Sequence, residues 1–250
     1  MTTSLSRSRD AWHQHPSVAH VDDYLWGGDE HFLADRELAD RLLRVAPWLS
    51  DMVRINRLHG HHVVTALAHK GIRQILNLGC GLPPHINQRK RHDPPTTFES
   101  ASAVHAAPPR VVYVDSDPVV YGHANMVLAE HKGTAAVRAD IRQMDQLLTH
   151  PQLQLLDHSE PILVLAHNLL TWVNHEAAEE AMTCLRGWLP AGSYISVTHA
   201  TTDMDPKTMK ALANHYVDAG IDFQPRSGAQ IQALLGPWAL VPPGIVPTAQ

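Results

Sequence analysis

The run Ile75-Leu76-Asn77-Leu78-Gly79-Cys80-Gly81 carries a short apolar strand straight into a G-x-G turn. Glycines there let the backbone bend sharply and approach a bound ligand without a Cβ in the way. Leu82-Pro83-Pro84 follows, so the third glycine of a dinucleotide fingerprint is absent and the prolines withhold N–H donors that a pyrophosphate would use. That weighs against NAD or FAD, and so against the oxidoreductase that a G-x-G and a strand-end acid would otherwise suggest. The acid is Asp115, which ends the apolar run Val111–Asp115, 34 residues after Gly81. In open α/β sheets ligands sit at the carboxyl ends of strands, and an acid after the second strand can grip both hydroxyls of a ribose. A third run, Val137-Arg138-Ala139-Asp140-Ile141, again ends in an acid, placed to receive an adenine amino group. Taken singly, Asp140 could equally cap the helix that follows it, whereas Asp115, coming after a G-x-G, reads first as a ligand-binding acid.

The elements that must position these residues alternate in period. From Pro16 to Gly71 the pattern is helical: Phe32, Leu33, Leu38, Leu42 and Leu43 recur at three- and four-residue spacing after a cap at Asp29, and Pro47 breaks the run. A second helix runs from about Ser50 and closes at Gly71. Beyond it, strands at Gln74–Leu78, Val111–Asp115, Ala135–Ala139, Ile162–Ala166 and Tyr194–Thr198 alternate with helices at Pro118–Lys132, Met144–His150 and His175–Leu189. That order predicts an α/β fold with a mostly parallel, doubly wound sheet. Further helices are expected at Pro206–Ala219 and Ser227–Leu235, and an edge strand in Trp238–Val246. Residues 82–109 read as a long loop with a basic patch, Arg89-Lys90-Arg91, and a short helix around Thr97–Val104. The organisation is thus a helical cap over residues 1–70 and a sheet domain over 71–250.

The chain has 250 residues, 44% hydrophobic and 18% charged, within the range of globular proteins. It has no apolar run long enough for a membrane span and no signal-peptide core, so a cytoplasmic protein that neither crosses nor binds a membrane is expected. Two cysteines, Cys80 and Cys184, make no disulfide framework. With 20 Lys and Arg against 25 Asp and Glu, there is no broad positive surface for nucleic acid. The 19 histidines are scattered. Their densest group, His59-Gly60-His61-His62, lacks a carboxylate or cysteine at ligand spacing and reads as a helix face; no metal is expected.

The triple LNLGCG, VVYVDSD and RADI resembles the cofactor-binding half of class I S-adenosyl-L-methionine-dependent methyltransferases, a Rossmann-like fold. The segments Pro16–Gly28, Phe32–Arg36, Arg54-Ile55-Asn56-Arg57, Gly71-Ile72-Arg73-Gln74, Gly81-Leu82-Pro83 and Pro243-Gly244-Ile245-Val246-Pro247 resemble an actinobacterial methyltransferase family long carried under a domain-of-unknown-function label. The resemblance implies a methyl donor held by Gly79, Cys80, Gly81, Asp115, Ser116, Asp140 and Ile141. It brings Tyr24, Gly28 and Arg57 from the helical cap and sets Ala166 and Asn168 beside the sulfonium. His167, then His199, are the candidate bases, because both follow strands at the site end of the sheet. Two departures stand out: Asn77 replaces an acid usual in that family, and the chain stops at Gln250 where relatives continue into an aromatic and basic tail, so the last strand is expected to be incomplete.

The segment after the fourth strand bears on the acceptor. It reads AHNLLTWV, without the Asn/Asp-Pro-Pro-aromatic pattern of enzymes that methylate exocyclic amines. A small molecule is therefore expected, and Trp26 and Trp172, two of six tryptophans, could stack on a flat one. Some relatives methylate tryptophan-containing cyclic dipeptides on the indole ring, in some cases closing it to a pyrroloindoline. The resemblance therefore points to indole C3-methylation. The alternatives are an O- or N-methyltransferase of another secondary metabolite, or a donor-binding regulatory protein without catalysis. A homodimer would be in keeping with other small-molecule methyltransferases.

Overall fold

The computed structural model describes residues 14–83 and 93–248. Among the described residues three helices precede the first strand, one more than the periodicity suggests. The added one, α1 (Val18–Trp26), is nine residues long, too short for acidic Asp22 and Asp23 to leave a readable apolar stripe. The Ser17 hydroxyl caps its start, and Gly27, at φ 87°, closes it in the left-handed region. In α2 (Leu33–Val45) the fastening comes from Asp35, only 1% exposed. One of its carboxylate oxygens takes the Phe32 N–H at 2.7 Å and the other the Ser17 N–H at 2.9 Å, tying the starts of two helices together. Asp29, the expected cap, lies ahead of the helix and does not serve it.

The third helix, α3 (Leu49–Ala68), lies against the sheet, and Gly71, at φ 93°, turns the chain into β1 (Gln74–Leu78). Residues 84–92, with the Arg89-Lys90-Arg91 patch, fall outside the described residues. The short helix expected next is α4 (Thr97–Ser102), started by a reciprocal capping pair of Thr96 and Glu99. Then come β2 (Arg110–Asp115), α5 (Pro118–His123), β3 (Thr134–Arg138), α6 (Met144–Leu148), β4 (Ile162–His167), α7 (His175–Trp188), β5 (Tyr194–Thr198), α8 (Pro206–Asp218) and α9 (Gly228–Leu235). The long helix expected over Pro118–Lys132 instead gives way after α5 to one π-helical turn, Ala124–Leu128, and then to turns.

The five strands are all parallel in the order β3-β2-β1-β4-β5. The chain reverses direction of growth between β1 and β4, so their carboxyl ends flank the crevice where such sheets bind ligands. Alternate strand residues feed two cores. Leu76, Leu78, Val112 and Val114 pack towards α6, α7 and α9, whereas Ile75, Val111, Tyr113 and Leu163 pack under α3. A third core joins the helical cap to the far end of the chain: Val21, Leu38, Leu42 and Val53 pack with Leu212, Tyr216 and Phe223. The edge strand expected in Trp238–Val246 does not form. That segment is turns whose Leu240, Val241, Ile245 and Val246 are exposed, and its prolines could not have donated to a ladder. No helix among the described residues is long and apolar enough to cross a membrane.

Candidate active site

At the end of β1 the chain turns through Gly79 at φ 63° and Gly81 at φ 64°, values that penalise any side chain. A Cβ on Gly79 would also lie 2.8 Å from Leu169 Cδ1. The Cys80 N–H donates to the Val114 carbonyl at 3.1 Å, and the Gly81 N–H to Asp115 Oδ2 at 3.1 Å, so the turn is pinned to the end of β2. Asp115 Oδ1 takes the Asp117 N–H at 3.0 Å. Burial pushes the Asp115 carboxyl above the usual range, and these N–H donors pull it back. Asp117 in turn caps α5.

This turn floors a cavity of ≈ 460 Å³ roofed by α1 and α3. That is the size of a small-ligand site, and polar groups converge on it from several elements. Of the residues singled out in the sequence, Arg57, Gly79, Cys80, Gly81, Asp115, Ser116, Asp140, Ile141, His167, Asn168 and Trp172 line it. Asp140 is already engaged: the Arg142 guanidinium grips both its oxygens and holds its carboxyl below the ordinary value. An adenine amino group reaching Asp140 would share it with that arginine. Asn168, at φ 51°, donates its N–H to the Thr198 carbonyl and hydroxyl, and that hydroxyl donates to Asn56 Oδ1 at 2.6 Å. The link fastens α3 to the ends of β4 and β5.

His167 lies beneath α3, where Gly60 makes room: a Cβ there would sit 3.3 Å from His167 Nδ1. Its Nε2 is 2.7 Å from Ser196 Oγ and its ring 5.3 Å from that of His59. Burial, helped by His59, pushes its conjugate acid down to about 3. Trp172 is held from behind by Tyr216 and Phe223, with ring centroids 5.0 and 5.1 Å away. His61 Nδ1 is 2.8 Å from Ser100 Oγ, joining α3 to α4. Among the described residues, no group of three or more His, Cys, Asp or Glu could hold a metal.

Other expected site residues lie off the cavity. Tyr24 turns its hydroxyl to Asp40 at 3.1 Å. Gly28 is demanded by packing, since a Cβ would fall 2.0 Å from the Asp23 carboxylate that organises the following loop. Trp26 lies under the guanidinium of Arg57, 5.2 Å from its ring centroid, and does not reach the cavity itself. Ala166 is enclosed within β4. His199 is unsuited to act as a base: Arg226 Nη1 donates to its Nε2 at 2.7 Å, and Nδ1–H is left to the Ala200 carbonyl at 2.9 Å. The burial behind this arrangement pushes its conjugate acid down to about 4. Conversely, Asp22 and Asn56 line the cavity without having been singled out. Each stands directly before another polar residue of its helix, Asp23 and Arg57, and only the cavity-facing side of α1 and α3 could have told them apart.

The geometry suits an adenosine-type ligand: a glycine turn open to close approach, a partly satisfied carboxylate at the end of β2, and a switch-point crevice of matching size. A family model described as S-adenosyl methyltransferase matches residues 4–250. A DUF574 family protein from Streptomyces avermitilis is 30% identical, with 94% of this chain and 88% of that one covered at a TM-score of 0.84. A candidate methyltransferase from Thermobifida fusca is 32% identical, with 98% and 89% covered at 0.86. Human N-acetylserotonin methyltransferase in complex with SAM, 13% identical with 92% and 59% covered at 0.50, shares the fold. No curated protein matches the chain. A five-stranded parallel sheet, a glycine turn facing a strand-end acid, and a family match along nearly the whole length agree, and the chain belongs to the S-adenosyl methyltransferase family.

Proposed function

We propose that this S-adenosyl-L-methionine-dependent methyltransferase acts on a small aromatic acceptor seated beside Trp172, and that the acceptor is the indole ring of a tryptophan-containing cyclic dipeptide. The observation that carries the reading is Trp172 itself: an indole on the cavity wall, backed by Tyr216 and Phe223, at the end of β4. Such a supported ring offers an offset or edge contact to a flat acceptor. Gly79, Gly81 and Asp115 would hold the adenosine half of the donor, with Ser116, Asp140 and Ile141 beside it. When bound, the donor supplies a methyl group already activated on a sulfonium.

What remains for the protein is positioning and exclusion of water. Indole C3 is nucleophilic without losing a proton first, so no strong base is needed to begin. Closure to a pyrroloindoline then forms a bond from the dipeptide amide nitrogen to C2 and releases that nitrogen's proton. Neutral His167 can accept a hydrogen bond from an N–H of the acceptor and so orient it, while the proton passes to solvent. The test is incubation of the purified protein with S-adenosyl-L-methionine and a panel of tryptophan cyclic dipeptides, read by mass spectrometry. The reading requires a product heavier by one CH2 with its new carbon on C3. A methyl placed on oxygen or nitrogen of another acceptor, or no product at all, contradicts it.

A further inference from the structure

The methionine half of the donor is a zwitterion, and an α-amino acid taken out of water needs an anion and a cation side by side. Four aspartates line the cavity: Asp22, Asp115, Asp117 and Asp140. Three are committed. Asp115 takes two backbone N–H groups, Asp117 caps α5, and Asp140 is paired with Arg142. Asn77, at the end of β1, offers only a neutral amide whose Nδ2 donates to Thr97 Oγ1 at 3.0 Å.

Asp22 differs from these. Among the described residues no hydrogen bond or close ion pair engages its carboxylate, although burial pushes it up to about 6. Its neighbour Asp23 shows the contrast, taking the Glu30 N–H at 2.8 Å and His31 Nδ1 at 3.1 Å. Asp22 and Trp26 are one helical turn apart on α1, and Arg57 of α3 lies over the Trp26 ring. The opposite charge acting most on Asp22 is Arg57, and the reverse also holds. Arg57 Nη1 donates to the Leu82 carbonyl at 3.3 Å, which keeps this pair of charges beside the glycine turn. A half-buried carboxylate with no donor is costly in the free protein, and a bound cation would offset that cost.

We propose that Asp22 and Arg57 together hold the amino-acid end of the donor, Asp22 accepting from its α-ammonium and Arg57 donating to its α-carboxylate. The assignment rests on the cavity being the donor site. Its test is a cycle of calorimetric titrations with two ligands, S-adenosyl-L-homocysteine and its deaminated analogue, against the intact protein and Asp22→Asn. The intact protein should favour S-adenosyl-L-homocysteine by about tenfold to a hundredfold, the range of a charge-assisted hydrogen bond. In Asp22→Asn that preference should collapse to within about twofold, while the melting temperature holds or rises because an unsatisfied charge is gone. Asp22→Ser gives the same reading with a smaller side chain. A preference that survives in both variants overturns the assignment. If the intact protein binds neither ligand, the donor site itself has been misplaced, and the assignment goes with it.

Discussion

His167 is neutral across the whole range in which a methyltransferase would be assayed, since its conjugate acid lies at about 3. A group so weakly basic accepts a hydrogen bond but stores a proton poorly. The pH–rate profile should therefore carry no inflection from His167 between about 5 and 8, and His167→Gln should keep most of kcat, whereas His167→Leu should lose about tenfold. An inflection in that range that disappears in His167→Gln would show it acting as the base after all. Trp172→Ala should raise the KM of an aromatic acceptor about tenfold and leave the affinity for S-adenosyl-L-homocysteine unchanged, because only the acceptor side of the cavity changes. How legible such residues are depends on their setting. Asp115 stands out in the sequence because a strand-end acid after a glycine turn is itself a pattern. His199 was marked only by its place just after β5, and it faces Arg226, an arginine 27 residues away that no local pattern ties to it.

Helices and strands were legible wherever burial is simple. The strands β1 and β5 coincide with the expected runs, β2 and β4 differ by one residue at one end, and β3 is shifted by one residue at both; the central strands are easiest to read because covering on both sides makes them largely apolar. The departures occur where long-range contacts decide the local structure. The start of α2 is fastened by Asp35 within its own first turn, a carboxylate that also reaches back to Ser17. Asp35→Ala should cost about 2–3 kcal/mol, the sum of a lost cap and a second unsatisfied N–H, and lower the melting temperature by roughly 5–10 °C in a chain of this size. A change under about 2 °C would mean the two helices are held by their apolar contacts alone. At the glycine turn, Gly79→Ala meets both an unfavourable φ and Leu169, so it should destabilise by about 2 kcal/mol and weaken donor binding, read by thermal melts and calorimetry.

Taken as a whole, the molecule encloses His167 and His199 where the sheet, α3 and the C-terminal segment meet, and that has a consequence in acid. His167 and His199 have folded values of about 3 and about 4, below the ordinary 6.5. Between 6.5 and those values the unfolded chain binds protons that the folded chain refuses, so stability falls as pH drops through that window. Unfolding by urea at a series of pH values should show this slope, and it should be shallower in His167→Gln; an unchanged slope would place the loss elsewhere. The joint core of the helical cap with α8 was not legible in the sequence, because Val21 and Leu212 lie far apart along the chain and no periodicity links them. Whether the glycine turn and Asp115 form the donor site is tested by calorimetric titration of S-adenosyl-L-homocysteine into the intact protein and Asp115→Ala. The intact protein should bind, and Asp115→Ala should bind at least about a hundredfold more weakly through loss of charge-assisted hydrogen bonds. Equal affinity in the two proteins, or no binding in either, would contradict that placement.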